Sequence, residues 1–199
     1  MKLKDALARP VRETELPNVL ELIRQQSAQV RGALHGTMLR NDIFNFCRIG
    51  TFLERSDNVA RILDVKYYVL LPSVSMVGTS IDNYQWEAIL RSAAAERSFA
   101  WLNKDSGPRT IAEFLILDRR LPRSIAFCYL NIARNLGYLE AEYDESRPCM
   151  EICAETLNRL TSTDIETIFQ GGLHEFIQSI IQANNSLGLQ IEKDYRFYA

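Results

Sequence analysis

The sequence has few histidines, no long apolar run and no recognisable nucleotide motif. Only His35 and His174 occur, beside four cysteines: Cys47, Cys128, Cys149 and Cys153. No grouping of these resembles a zinc site, so no metal is expected. The absence of G-x-G-x-x-G and of a P-loop means that no nucleotide site is signalled and no cofactor is expected; an ATP-dependent step would belong to a partner. No apolar stretch reaches the roughly 18–20 residues that span a bilayer. The opening MKLKDALARP has a basic start without an apolar h-region, which argues against a secretory signal and leaves the cytoplasm as the expected location. Net charge is -2, with basic residues interleaved among acidic ones. Nucleic-acid binding and attraction to an anionic membrane are therefore not expected.

Sustained alternation of apolar and polar residues is also missing, and almost every segment instead carries helical periodicity. Glycine and proline fall mostly between the periodic segments. The expected fold is all-α: a helical bundle of about six to seven helices built around one long helix over 41–71. The expected organisation is an arm or linker at 1–14, a helical domain at 15–185 and a tail at 186–199. The first helix is predicted over 15–34, with Pro17 in its first turn. The long helix is capped by Asn41 or Asp42 and stopped by Pro72. Its seam reads Phe46, Ile49, Leu53, Ser56, Ala60, Leu63, Tyr67 and Leu70, spaced alternately three and four apart.

A loop at 73–80 then leads to a third helix over 82–102, with Asp82 and Gln85 spaced as a capping box. Thr110 and Glu113 box the fourth helix. Pro122 fits the first turn of a fifth that runs to Tyr143. Pro148 opens the sixth, and Thr163 with Glu166 boxes a seventh that Gly171 and Gly172 divide. ANNSLGLQ, at 183–190, reads as a turn. Cys47 and Cys128 sit in apolar helical patterns, and Cys149 and Cys153 share a helix face. Structural, reduced thiols are the simplest reading.

The long helix carries a charged stripe in FLERSDNVARILDVKYYVLL, at 52–71. Glu54, Asp57, Asn58 and Arg61 follow the i, i+3, i+4, i+7 rule, and Arg61 reaches toward Asp57 and Asp64. Arg55 points to a different side. Three readings follow. The stripe is a solvated face with intrahelical pairs. It is a buried polar network if neighbouring helices surround it, in which case its charges must be paired. Or Glu54 and Asp57 work as acid and base, with Arg61, Asp64 and Arg123 as further acid–base and anion-binding groups. A di-metal bundle site needs Glu-x-x-His pairs, which neither histidine supplies.

A second polar concentration is LDRRLPRS, at 117–124. Arg119, Arg120 and Arg123 at a helix start can hold a carboxylate or phosphate. The plainer reading is a helix–helix turn with Asp118 as a local cap. On the third helix Arg91, Ser92, Glu96 and Arg97 read as intrahelical pairing, since a lone serine without a histidine is a poor nucleophile. His35 and His174 read as ordinary loop or helix-end residues.

Residues 42–72, DIFNFCRIGTFLERSDNVARILDVKYYVLLP, resemble the signature of the bacterial alpha-E family, with Glu54-Arg55 as its Glu-Arg motif. QWEAILRSAAAERSF at 85–99 and IAEFLILDRRLPRSIAFC at 111–128 match in the same order. The resemblance implies an α-helical bundle. It also implies a setting beside an ATP-grasp-type ligase and a transglutaminase-like protein, in peptide or amide synthesis or modification. Family members usually begin with another helical segment and an earlier Glu-Arg motif. On that comparison the chain resembles the C-terminal portion of a member, with an apolar seam that a second copy could cover. The expected function is that of a non-catalytic helical partner. The alternative is an enzyme acting on peptide or amide substrates through the cluster around Glu54, Asp57 and Arg61.

Overall fold

In the computed structural model, residues 3–68, 80–103, 105 and 107–197 are described. Among them are ten helices and no strand. The chain divides into two units, Met1–Phe44 and Asn45–Ala199.

The first unit holds α1 (Leu3–Ala6) and α2 (Leu16–Thr37). The expected arm thus contains a helical turn of its own. Pro17 lies in the first turn of α2, where a missing N–H costs nothing. The next helix, α3 (Asp42–Tyr68), starts at the end of this unit. Asn41 caps it by accepting from the Phe44 N–H at 3.2 Å.

In the second unit α3 is followed by α4 (Ser80–Ser92), α5 (Glu96–Leu102), α6 (Pro108–Ile116) and α7 (Ile125–Tyr143). Then come α8 (Pro148–Ser162), α9 (Ile165–Gly171) and α10 (Leu173–Asp194). The buried strip of α3 is Asn45, Ile49, Phe52, Ser56, the adjacent Val59 and Ala60, Leu63 and Lys66, its successive levels three or four residues apart. It is turned slightly from the expected seam. Phe52 is buried where Leu53 was expected, and Leu53 packs at the flank. The side chains of Tyr67 and Leu70, like the expected loop at 73–79 and the stop at Pro72, lie outside the described residues. Phe52 meets Phe127 of α7 at 6.0 Å between ring centroids. A Cβ on Gly188 of α10 would come within 3.2 Å of the Leu53 Cδ2, so that glycine permits close approach of the two helices. Lys66 reaches Asp82 of α4. The long helix is therefore central to its unit.

The helix count exceeds the six or seven expected because two predicted helices break and the arm adds a turn. The third breaks after Ser92. Ala94 takes a left-handed conformation at φ 50°. Ala95 N–H bonds to the Leu90 carbonyl and Ala94 N–H to that of Arg91, the paired bonds of a Schellman stop. Three consecutive alanines hide this stop in the sequence, because alanine is the strongest helix former. The seventh breaks at Gly172, φ 95°, where a Cβ would lie 2.0 Å from the Glu175 carboxylate.

ANNSLGLQ is a correction: it is not a turn but the third quarter of α10, which continues to Asp194. Asn184, Leu187 and Ile191 are buried on one face of it. Most of the expected tail is accordingly helix. Beyond it Tyr195 and Phe197 pack edge to face against Phe46, with ring centroids 4.8 and 4.9 Å away. Arg147 donates to the Asp194 carbonyl and lies 4.6 Å from the Tyr195 ring centroid.

Three helix starts also differ from those expected. Gly107 rather than Thr110 precedes α6, Ser124 caps α7 so that Pro122 lies before the helix and not in its first turn, and Asp164 rather than Thr163 caps α9 by accepting from Thr167 N–H. Cys128, Cys149 and Cys153 are buried free thiols, and burial pushes each up to about 12. They are unreactive packing residues at neutral pH.

Ala94→Gly is expected to stabilise the protein by about 0.5–1 kcal/mol, because glycine takes the left-handed stop without a Cβ penalty. Urea unfolding followed by circular dichroism measures this; an unchanged or lowered midpoint would refute it.

Candidate functional site

The charged stripe of α3 separates into an outer and an inner edge. Glu54, Asn58 and Arg61 are exposed, while Asp57 and Asp64 are half-buried. Asp57 Oδ2 accepts from Arg61 Nε at 2.7 Å, one helical turn on. This is the solvated pairing that the spacing implies, with one addition: Asp57 Oδ1 is buried and has no hydrogen-bond partner. Asp64 does not pair with Arg61. It accepts from Gln178 Nε2 at 2.8 Å, and its other oxygen lies 2.8 Å from His174 Nδ1. His174 and Gln178 are one turn apart on α10, so one carboxylate of α3 grips two positions of a helix more than a hundred residues away.

Arg55 leaves the stripe, as its angular position predicts. Its guanidinium donates to the Pro122 carbonyl at 2.8 Å. That carbonyl belongs to the segment joining α6 to α7, which is itself tightly organised. The Asp118 carboxylate accepts from the Arg120 N–H at 2.7 Å, from the Leu121 N–H at 3.2 Å and from the Arg120 guanidinium at 2.9 Å. Burial pushes this carboxyl up, but the bonds from Arg120 and Leu121 outweigh it and hold it below its ordinary value. Ser124 donates to the Asp118 carbonyl and accepts from the Phe127 N–H at 3.0 Å, which starts α7. The arginine-rich turn is thus a structured turn with Asp118 as its cap. Arg123 is exposed. It acts with Glu54 and Arg55 on the Cys128 thiol, but among the described residues it forms no ion pair with Glu54 or Asp57.

The most buried polar residues of the strip are Lys66, which lay outside the expected seam, and Ser56, which lay in it. Lys66 Nζ sits 2.6 Å from Asp82 Oδ1, with side-chain exposures of 2% and 5%. It also donates to Gln85 Oε1 and lies 5.8 Å from the Trp86 ring centroid. Asp82 and Gln85 share a face of α4 one turn apart, so the spacing read as a capping box instead serves a buried ammonium. Ser56, directly after Glu54-Arg55, donates to Asn184 Oδ1 at 3.3 Å. Tyr129 of α7 donates to the same oxygen at 2.8 Å. Lys66 carried no signal in the sequence, because the expected seam passed through Tyr67 beside it. His174 carried no local signal, because its partner is remote in sequence.

One family model matches the chain over residues 1–196; its description is a predicted alpha-helical domain with a conserved ER motif. The chain belongs to the Alpha-E family. No curated protein and no solved structure matches it. This Alpha-E chain contains two Glu-Arg pairs, Glu54-Arg55 and Glu96-Arg97. Both residues of the second pair are exposed at the start of α5. In the first pair Arg55 reaches across the fold to the α6–α7 turn, and Glu54 stays in solvent.

Among the described residues no group of three or more His, Cys, Asp or Glu side chains is placed to hold a metal ion. Nor is any described helix long and apolar enough to cross a membrane.

Lys66→Met is expected to cost about 3–5 kcal/mol, because it leaves Asp82 buried without its counter-charge. Lys66→Met combined with Asp82→Leu is expected to recover most of that loss. A double-mutant cycle by urea unfolding checks both; additive losses would show that the pair is not coupled.

Proposed function

We propose that this Alpha-E chain is a non-catalytic helical partner or scaffold in an ATP-grasp-linked system that makes or modifies peptides or amides. An ATP-grasp-type ligase and a transglutaminase-like protein are the partners in this reading, drawn from the setting that the family resemblance implies. One observation carries it: the charges around the motif close on one another. Arg55 holds Pro122, Asp57 holds Arg61, Asp64 holds Gln178 and His174, and Lys66 holds Asp82. A general acid or base must come within hydrogen-bond reach of substrate. Arg55, Asp64 and Lys66 instead join separate elements of the fold, and Asp57 pairs with Arg61 along α3, so the exposed Glu54, Asn58 and Arg61 form the polar face offered to a partner.

A second reading, an enzyme acting on peptide or amide substrates, is favoured by a single contact. Asp64 beside His174 Nδ1 is the arrangement by which a carboxylate holds an imidazole in one orientation and tautomer.

The test is co-expression of the full chain with an ATP-grasp-type ligase and a transglutaminase-like protein from the same genome, followed by size-exclusion chromatography with light scattering. Co-elution is expected, and reversing the charge of the exposed face with Arg61→Glu should weaken it by about tenfold or more without unfolding the chain. Separate elution with an unchanged ligase rate would overturn the partner reading. His174→Asn distinguishes the two readings. It abolishes turnover of a peptide amide if the chain is an enzyme, and leaves the complex intact if it is a scaffold.

A further inference from the structure

A cleft of about 490 Å³ opens between α8 and α10, remote in sequence from the Glu-Arg motif. Its volume falls within the range of small-ligand sites. Ile152, Glu155, Thr156 and Arg159 line it from α8, and Ser179, Ala183 and Ser186 from α10. Each set recurs at helical spacing and so forms one face of its helix. The α10 residues are small, which leaves room between the two backbones.

The charges at the mouth are the informative feature. Glu155 and Arg159 stand four residues apart, acid before base, the order that best favours an intrahelical pair. Among the described residues they do not pair. The Arg159 guanidinium lies instead 5.4 Å from the ring centroid of Phe176 on α10. A guanidinium set against an aromatic ring keeps its in-plane N–H groups available to a carboxylate. Thr156 is buried at the floor, its hydroxyl donating to the Ile152 carbonyl at 3.1 Å. The cleft therefore presents one negative and one positive group about one helical turn apart, over a floor of small side chains.

We infer that this cleft binds a small zwitterion of the amino-acid or short-peptide class. Its carboxylate sits on Arg159, its ammonium on Glu155, and a small side chain lies over Ala183. The inference goes beyond the partner reading and is tested without any ligase, so either can fail alone.

The experiment is an NMR titration of the ¹⁵N-labelled full chain with L-alanyl-L-alanine. Two capped peptides serve as comparisons: N-acetyl-L-alanyl-L-alanine, which lacks the ammonium, and L-alanyl-L-alaninamide, which lacks the carboxylate. Saturable shifts are expected at the amides of Thr156, Ser179 and Ala183. Each capped peptide should bind about tenfold more weakly, through loss of one charge-assisted contact. Glu155→Gln should lower affinity for the uncapped peptide to that of the acetylated one, and Arg159→Gln to that of the amide. Both residues are exposed, so the substitutions leave the fold intact. Ala183→Leu fills the floor and should abolish the shifts. Shifts that do not saturate, that map away from the cleft, or that are equal for all three peptides would overturn the inference.

Discussion

The buried ammonium of Lys66 is the constraint around which the second unit is arranged. A charge taken out of water is tolerated only when a counter-charge and hydrogen-bond acceptors replace its hydration. Asp82 and Gln85 supply both, and they come from α4, on the far side of residues 69–79. An apolar residue at position 66 could rest against many surfaces. A lysine there is satisfied in one register of α4 against α3, so the contact acts on specificity of packing as well as on stability.

The same logic runs along the rest of α3. Its buried strip is apolar except at Asn45, Ser56 and Lys66, and its flank carries Asp57 and Asp64. Ser56 finds Asn184 of α10, which Tyr129 of α7 also engages, so a single amide oxygen joins three helices. Asp64 fixes a second stretch of α10 at His174 and Gln178, ten and six residues before Asn184. Two polar contacts at separate heights set both the rotation and the axial position of α10. Gly188 then lets the two helices approach closely. Arg55 performs the corresponding task outside the core, holding the turn before α7 by its Pro122 carbonyl. Within the motif, arginine is thus the positioning residue and glutamate the exposed one.

This arrangement shapes what the family membership means for the chain. A Glu-Arg motif invites a search for acid–base chemistry. Here Arg55 joins α3 to the turn before α7, while Glu54 stays exposed. The cleft between α8 and α10 is the contrasting place. Its two charges are not consumed by the fold, and its α10 wall is made of side chains too small to fill it.

Periodicity alone determined the all-α class, the long helix and most helix positions, because burial of one face imposes a spacing that composition cannot disguise. The Asp57–Arg61 pair and the capping role of Asp118 were equally legible, since both partners lie within a few residues. The break at Ala94 was not, because it is made by backbone bonds that three alanines do not advertise. Nor was the helical state of ANNSLGLQ, whose asparagine and glycine serve a remote helix and only imitate a turn. Tertiary structure alone decided that Lys66 is buried, that Asp64 meets His174 and Gln178, and that Arg55 holds Pro122. Each of these depends on which distant helix face arrives opposite. A local pattern specifies how a helix divides its own surface, whereas the partner of a buried polar group is fixed only when the packing of the whole unit is complete.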